Sequence, residues 1–244
     1  MKPCCAPESP PAIPDYLQEV YWWAYLHPNA VRLFEREWLV NLILWGNFGR
    51  LRDAALAEID PADELKVLQV ACVYGDFTQR LAARLAPSAR LDVVDVAPIQ
   101  LANLHRKLGS DRRVRLHHQD ASALRFADGR FDTTLLFFLL HEQPADVRRA
   151  TLAEALRVTR PGGKVVIVDY HGPHPAHPLR YPMRGILSRL EPFALELWQQ
   201  PVEDFLPAGG YTAITRTTCF GGLYQKLVIT AGTPGLPIVH SPPA

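Results

Sequence analysis

The chain has 244 residues, of which 48% are hydrophobic and 21% charged, as expected for one soluble domain with appendages. Its formal net charge of +1 provides no basic footprint for nucleic acid, so we expect no nucleic-acid partner. None of the four cysteines forms a Cys-x-x-Cys pair, which argues against a zinc knuckle or a disulfide framework and favours a reducing, cytoplasmic compartment. The longest uncharged apolar run, Trp38 to Gly49, is shorter than the roughly 18 residues that span a bilayer.

The N-terminal quarter of the chain is rich in aromatic residues. Residues 1–14 carry many prolines and are predicted to be disordered, whereas residues 15–60 are predicted to form an aromatic helical cap. Asn29, after Pro28, predicts the N-cap of a helix that runs to about Ala57. The apolar stripe of this helix is wider than packing on one face requires. Two compatible interpretations follow: a cover helix buried against the domain, or the wall of an apolar channel that faces a membrane.

The central stretch of the chain is residues 67–78. Apolar residues from Val67 run into the turn-forming Tyr74-Gly75-Asp76, and an amphipathic segment, Phe77 to Leu85, follows. This pattern predicts a buried strand, a tight turn and a helix. The free backbone N–H groups at the start of such a helix can face an anionic or polar ligand.

After the central stretch, predicted strands alternate with predicted helices. This alternation predicts an α/β fold with a mostly parallel sheet, closed by a C-terminal antiparallel hairpin at residues 212–219 and 222–230. We assign residues 61–231 to this domain and residues 232–244 to a loose, proline-rich tail. The predicted segments are strands 90–94, 114–118, 133–140 and 164–169, helices 98–108 and 144–157, and a helical stretch 179–198 interrupted by Pro182 and Pro192.

Several short motifs, in order, resemble those of the class I S-adenosylmethionine (SAM) methyltransferases: Asp95, Asp120, Phe131-Asp132, Leu140-His141 and Arg157 to Lys164. The resemblance implies their Rossmann-like fold with a seven-stranded sheet and a SAM site at the carboxyl ends of the strands. Asp95 would then accept hydrogen bonds from the ribose, although an acid at this position can instead cap the helix that begins near Pro98. The expected SAM-contacting residues are Gln69, Ala71, Tyr74, Gly75, Asp76, Asp95, Val96, Asp120, Ala121 and Phe137.

The first nucleotide-binding motif departs from that family's pattern. Gln69 stands where the acid belongs, and Ala71 and Val73 replace the first two glycines. Gly75 remains, preceded by the bulky Tyr74. The motif is therefore either a decayed version that still supports methyl transfer or one rebuilt for other chemistry.

A closer resemblance covers nearly the whole chain except its tails and points to the rhodoquinone-biosynthesis family, RquA. It implies that ubiquinone is converted to rhodoquinone by replacing a ring methoxy group with an amino group, with SAM as the amino donor and manganese(II) required. It also implies peripheral association with the inner membrane, on its cytoplasmic side. The segments that carry it are 21–28, 38–41, 73–78, 95–100 and 139–144.

The altered motif is consistent with amino donation. A donor amine must be neutral, and a carboxylate beside it would raise its pKa from the reference value of about 8. Gln69 in place of the acid therefore favours the neutral, nucleophilic form. Rival hypotheses are a SAM-dependent methyltransferase for a quinone or another small lipophilic acceptor, and a non-catalytic protein that binds SAM or lipid.

Polar residues at two strand ends are candidates for activating a quinone. A divalent ion could polarise the quinone carbonyl, and manganese favours carboxylate and imidazole ligands. The candidate ligands are His141, Glu142, Asp169 and His171, and the candidate catalytic residues are Tyr74, His141 and Asp169. A histidine at a strand end is also commonly a structural, hydrogen-bonded residue, and the alternative for Tyr74 is a bulky residue that fills the space left by the missing glycines.

Overall fold

The sheet of this protein has the predicted, mostly parallel arrangement. The computed structural model describes residues 10–233, and in that part of the chain seven strands pair in the order β3-β2-β1-β4-β5-β7-β6. Strands β1 to β5 run parallel to one another, while β7 is antiparallel to both β5 and β6. The strands are β1 (Lys66–Val70), β2 (Arg90–Asp95), β3 (Val114–His118), β4 (Phe131–Phe137), β5 (Thr159–Tyr170), β6 (Tyr211–Cys219) and β7 (Tyr224–Ala231).

Successive side chains of the central strands pack alternately into apolar layers on the two faces of the sheet. In β4, Leu135 packs into the layer that contains Phe48 and Phe77, and the next residue, Leu136, packs into the opposite layer with Leu152. This two-sided burial explains why these strands read as continuous apolar runs. The helices that connect the parallel strands are α5 (Phe77–Arg84), α6 (Pro98–Leu108) and α7 (Ala145–Val158).

The segment before the sheet is more broken than predicted. The prediction of a single helix from Asn29 to about Ala57 is wrong. Trp45 and Gly46 adopt positive φ angles of 52° and 77°, which are incompatible with a right-handed α-helix and interrupt it. The N-cap is also wrong: the backbone N–H of Asn29 donates to the ring Nδ1 of His27, which precedes Pro28. The elements are α1 (Asp15–Glu19), a π-helical turn (Trp22–Leu26), α2 (Pro28–Phe34), α3 (Glu37–Ile43) and α4 (Phe48–Leu56).

Two strand and helix ends also differ from the prediction. Strand β4 ends at Phe137 instead of Leu140, because Phe138 takes a positive φ of 52° and a 3-10 turn, Leu140–Glu142, follows. Pro182 does not interrupt its helix, since it lies in the first turn of α8 (Arg180–Leu190), where backbone N–H groups have no helical partner. Pro192 does begin a separate 3-10 turn, Pro192–Leu195, followed by α9 (Glu196–Gln199) and a 3-10 turn, Val202–Phe205.

The two predicted tails, residues 1–14 and 232–244, lie largely outside the described residues. The structure describes neither residues 1–9 nor residues 234–244. Between residues 10 and 233, no helix is both long enough and apolar enough to cross a membrane.

Candidate functional site

A cavity of about 540 Å³ lies between the cap and the carboxyl ends of β1, β2 and β4. Of the residues predicted to contact SAM, seven line it: Ala71, Tyr74, Asp95, Val96, Asp120, Ala121 and Phe137. His141 and Glu142 line the same cavity, whereas Gln69, Gly75, Asp76, Asp169 and His171 do not. The structure thus brings part of the predicted SAM site and part of the predicted quinone site into one enclosure.

Asp95 is fixed at one end of this cavity. Its Oδ2 accepts from the Cys72 N–H at 2.7 Å and its Oδ1 from the Ala97 N–H at 2.8 Å. Burial raises the pKa of Asp95, and the two N–H donors oppose that rise. The bond from Ala97 shows that Asp95 does cap the start of α6, yet each carboxylate oxygen keeps a second lone pair. Capping and ribose binding are therefore compatible.

Asp120 is held beside Asp95 after the neighbouring strand. Its Oδ1 accepts from the backbone N–H and the hydroxyl of Ser122, at 2.8 and 2.7 Å. Val96 and Ala121, the residues that follow the two acids in the chain, also line the cavity. Contact of Asp95 with a ribose and of Asp120 with an adenine edge stays a prediction of the resemblance.

We expect Asp95→Ala to weaken SAM binding by about 1.5–3 kcal/mol, the range for hydrogen bonds to a charged group. Isothermal titration calorimetry measures the change, and Asp60→Ala is a matched control because that carboxylate is 80% exposed in its ion pair with Lys164. Unchanged SAM affinity in Asp95→Ala would remove Asp95 from the site.

The altered motif is buried beneath the cavity floor. Gln69 is fully buried, its Nε2 donates to the Ala71 carbonyl at 2.9 Å, and its Oε1 has no hydrogen-bond partner among residues 10–233. Ala71 itself has a positive φ of 70°, a conformation that glycine adopts at lower cost. The neutral amide thus stabilises the turn that the family builds with glycine.

Gly75 and Asp76 tie the turn to the cap instead of facing the cavity. Gly75 donates its N–H to Glu35 of the cap at 3.0 Å, and Asp76 pairs with Arg52 of α4 at 2.6 Å. Gly75 has a φ of 75°, and a Cβ there would lie 3.1 Å from the Phe48 ring. The retained glycine is therefore explained by backbone conformation and by contact with the cap.

Tyr74 is likewise anchored in the cap. Its ring stacks on Tyr25 and Phe34 with centroid distances of 5.8 Å each. Its hydroxyl donates to the Ala24 carbonyl and accepts from Gln100 Nε2, both at 2.7 Å. These contacts agree with the space-filling interpretation, and a role for Tyr74 in orienting a quinone stays a prediction.

A buried group of ionisable residues lies at the other end of the cavity; we call His141, Glu142, Asp169 and Glu191 the His141 cluster. Asp169 accepts from the backbone N–H groups of Leu140 and Tyr170, each at 2.8 Å, and lies 3.0 Å from His141 Nδ1. This network fixes the imidazole orientation and makes Nδ1 the protonated partner of the carboxylate. Asp169 therefore positions His141 and does not itself reach the cavity.

The second ring nitrogen of His141 remains available. Its Nε2 lies 3.7 Å from both Glu142 Oε1 and Glu191 Oε2, beyond hydrogen-bond distance. Glu191 Oε2 is buried and has no hydrogen-bond partner within the described part of the chain. An oxygen atom of a substrate that entered between these groups would find a donor and two acceptors.

Burial and mutual charge shift the protonation of this cluster. Burial alone would lower the pKa of His141, but Asp169, Glu191 and Glu142 together raise it to about 9. Burial raises the pKa of Glu142 to about 8, against the opposing effects of His141 and a hydrogen bond with Tyr25. At pH 7 the favoured state therefore has an imidazolium at His141 and a protonated carboxyl at Glu142.

The free energy of unfolding should decrease as the pH rises from about 4.5 to about 9. Both folded-state pKa values lie above the ordinary values of 6.5 and 4.5, so the folded chain binds more protons than the unfolded chain. The contribution of His141 is fully present below pH 6.5 and is lost through about pH 9, and that of Glu142 is lost between about 4.5 and 8. We expect a lower midpoint of thermal unfolding at pH 9 than at pH 6, and a smaller difference in Glu142→Gln. An unchanged difference in that variant would contradict the shift at Glu142.

The predicted set of metal ligands does not converge. The ring Nδ1 of His171 lies 2.8 Å from the Gly222 carbonyl on the C-terminal hairpin, and the oxygens of Asp169 are engaged by N–H groups. Among residues 10–233, no group of three or more His, Cys, Asp or Glu side chains is arranged to hold a metal ion. Manganese stays a prediction, and no step proposed below depends on it.

Two residues that sequence reasoning missed support the His141 cluster. Glu191 precedes Pro192 at the end of α8 and resembles an ordinary exposed helix terminus in sequence. Arg148, fully buried in α7, donates to the carbonyls of Leu140 and Gln143 at 2.9 and 2.8 Å and to that of Phe193 at 3.2 Å. Arg148 lies four residues before the buried Leu152, on the apolar face of α7, and this spacing could have predicted that Arg148 is buried.

Residues 67–163 match the family model described as a methyltransferase domain. A demethylmenaquinone methyltransferase of Lactiplantibacillus plantarum is 26% identical over 225 residues, which cover 88% of this chain and 90% of that protein. A demethylmenaquinone methyltransferase of Staphylococcus aureus is 30% identical over 145 residues, 59% of this chain and 58% of that protein.

Solved structures show the same architecture. A SAM-dependent methyltransferase from Aquifex aeolicus has a TM-score of 0.54 at 16% identity, covering 83% of this chain and 97% of that one. Phosphoethanolamine N-methyltransferase 2 of Haemonchus contortus, in complex with SAM, has a TM-score of 0.63 at 14% identity, covering 90% and 60%. At these identities the likeness establishes the fold alone. Residues 10–233 therefore have the Rossmann-like α/β fold of the SAM-dependent methyltransferases, and residues 67–163 within them match the methyltransferase-domain model.

Proposed function

We propose that this chain is a SAM-dependent transferase that methylates the ring of an isoprenoid quinone in its reduced, quinol form. One observation carries the proposal: a single apolar cavity connects the Asp95 and Asp120 end to the His141 cluster. The two relatives described as demethylmenaquinone methyltransferases support the choice of a quinone acceptor. SAM supplies an electrophilic methyl group when it is bound.

The His141 cluster provides the groups that quinol methylation requires. A quinol carbon becomes nucleophilic as the adjacent hydroxyl loses its proton, and a buried base lowers the barrier to that loss. His141 Nε2–H donates to the quinol oxygen and stabilises its developing negative charge. The ionised form of Glu142 takes the proton, with Glu191 as the second acceptor. Overall, a carbon–carbon bond forms and a sulfur–carbon bond breaks; the ring carbon then loses its proton while Glu142 returns the hydroxyl proton to the quinol oxygen, so one proton is released in total.

The cavity wall is suited to a flat ring and a hydrocarbon tail. The Phe138 and Tyr170 rings meet edge to face at 5.4 Å beside His141, and both line the cavity. The apolar side chains Leu42, Ile43 and Ile186 continue the wall away from the cluster. Apolar walls exclude water around the reacting atoms, which strengthens the electrostatic effect of the His141 cluster.

Product analysis tests the proposal. The protein is incubated with SAM carrying a labelled methyl group and with quinols that have an unsubstituted ring carbon, and mass spectrometry follows the label. We expect a ring-methylated quinone together with S-adenosylhomocysteine. Binding of SAM without turnover of any quinol would contradict the proposal and favour a non-catalytic SAM-binding or lipid-binding protein.

A second candidate function is amination of ubiquinone, with SAM as the amino donor and manganese(II) present. The observation that favours it is Gln69, a buried neutral amide where the family has an acid. SAM labelled with nitrogen-15 in its amino group distinguishes the two functions, because only amination moves that label into the quinone.

If amination occurs, Gln69→Asp should raise the pH optimum of the reaction. If the donor amine binds within a few ångströms of residue 69, beneath the cavity floor, a carboxylate there stabilises its ammonium form by up to about 1–4 kcal/mol at the effective dielectrics of water and a protein surface. Each unit of increase in the amine pKa lowers the reactive fraction about tenfold at pH values well below it. The pH–rate profile is measured at saturating SAM, with Gln69→Asn as the neutral control. A Gln69→Asp profile that keeps the shape and height of the parent would refute tuning of the amine.

A further inference from the structure

Exposed apolar side chains surround the opening of the cavity. Leu42, Ile43 and Trp45 at the end of α3, and Ile186 and Leu190 on α8, line the cavity and are also exposed to solvent, so they border its mouth. The Trp45 indole Nε1 lies 3.0 Å from Met183 Sδ, which places the end of α3 beside α8. We define the mouth face by these border residues together with the exposed Trp38 and Tyr181: Trp38, Leu42, Ile43, Trp45, Tyr181, Ile186 and Leu190.

Helix α8, which contributes Tyr181, Ile186 and Leu190 to the mouth face, also carries exposed positive charge. Arg184 and Arg189 are exposed, and within residues 10–233 neither forms an ion pair with a carboxylate. The helix Arg180–Leu190 contains no Asp or Glu. The helix therefore combines unpaired guanidinium groups with exposed Tyr, Ile and Leu side chains.

We propose that the mouth face docks on a bilayer that contains anionic phospholipid, so that the cavity opens into the acyl-chain region. Trp and Tyr suit the level of the headgroups, and unpaired arginines attract anionic lipid. The apolar border of the mouth then meets hydrocarbon instead of water. That the quinone tail enters by this route rests on the proposed function, whereas the docking itself does not.

A second copy of the chain is a poorer occupant of this face. A two-fold contact would place the same patch on both sides, and Arg184 and Arg189 would face the same charges of the partner. Such a contact would also close the mouth of the cavity. Anionic lipid complements these charges and leaves the mouth open to an apolar substrate.

Vesicle flotation without SAM or quinone tests the docking. We expect the chain to float with vesicles of phosphatidylcholine and phosphatidylglycerol and to bind pure phosphatidylcholine at least about tenfold more weakly. Arg184→Gln combined with Arg189→Gln should weaken binding to the anionic vesicles about tenfold, and added salt should have a similar effect. Trp38→Ser combined with Tyr181→Ser should also weaken it, and neither residue lines the cavity.

The matched control is Arg112→Gln combined with Arg115→Gln, which removes two exposed arginines before and on the edge strand β3. This pair should leave vesicle binding unchanged, and unchanged SAM affinity of every variant verifies its fold. Failure of the parent to bind anionic vesicles, or equal loss in the control, would overturn the docking. Dimers in sedimentation that the Trp38 and Tyr181 substitutions dissociate would overturn it in favour of self-association. Turnover of a short-tailed quinol in detergent-free buffer tests the proposed function separately.

Discussion

Replacing His141 with alanine is expected to lower kcat by about 10²–10⁴-fold, the contribution typical of general acid–base catalysis. The substitution removes the donor Nε2, which lies 3.7 Å from carboxylate oxygens of Glu142 and Glu191. It also leaves the buried Asp169 without its imidazole partner, 3.0 Å away. Steady-state kinetics with a methylated-product readout measures the loss, while SAM affinity should stay unchanged because Asp95 lies at the other end of the cavity.

The pH dependence sharpens this prediction. The proposed mechanism requires an ionised Glu142 and a protonated His141, whose pKa values are raised to about 8 and about 9. The value of kcat/KM should therefore increase up to about pH 8 and decrease above about pH 9. Glu142→Gln should abolish the increase on the acid side of this profile.

Two matched variants separate a catalytic role from a general effect of losing a histidine. His105→Ala removes an exposed ring on α6 and should keep the parent activity. His171→Ala removes the ring that contacts Gly222 outside the cavity and should also retain activity. Full activity in His141→Ala would contradict the proposed role of the cluster. An equal loss of kcat in His171→Ala and His141→Ala would instead support the predicted metal site, which includes both histidines.

Replacing Arg148 with methionine is expected to reduce the free energy of unfolding by about 3–5 kcal/mol, the cost typical of breaking a buried ionic network. Arg148 is fully buried and donates to the carbonyls of Leu140, Gln143 and Phe193 as well as to Glu196. Methionine fills much of the volume but leaves those carbonyls without a donor, and each unpaired buried group costs about 1–3 kcal/mol. Urea denaturation measures the change.

The neighbouring arginine provides the control. Arg149 is exposed and donates to the Asp204 carbonyl, so Arg149→Met should change stability by only about 0.5 kcal/mol. Arg148→Lys should recover only part of the loss, because one ammonium cannot reproduce the geometry of the guanidinium. A change in Arg148→Met as small as that in Arg149→Met would refute this account.

Arg148 also matters for the site. The carbonyls that it binds belong to the turn carrying His141 and Glu142 and to the segment just after Glu191. Loss of this bridge should therefore lower kcat more than it weakens SAM binding, since Asp95 and Asp120 are held by their own loops.

Local sequence signals were sufficient for most of the sheet. Strand 114–118 and helix 98–108 have the predicted bounds, and the parallel order with an antiparallel hairpin is confirmed. These elements follow from alternating apolar runs, Pro at the first turn and glycine-rich turns, which act over a few residues. The broken cap was not predictable in this way, since the bend at Trp45 and Gly46 is stabilised by the bond from the Phe48 N–H to Asn41 Oδ1.

The fold class was readable from the residues alone, as was the place of Asp95, Asp120, His141 and Glu142 after successive strands. Which polar residues share an environment depends on the tertiary structure. It turned Gly75 and Asp76 toward the cap, set Asp169 behind His141, and brought Glu191 from the end of α8 into the cavity. The physical reason is that burial and partners are set by contacts between residues far apart in the chain. The sequence pattern predicts which strand or helix end carries a side chain, whereas the packing of distant segments determines which residues that side chain contacts.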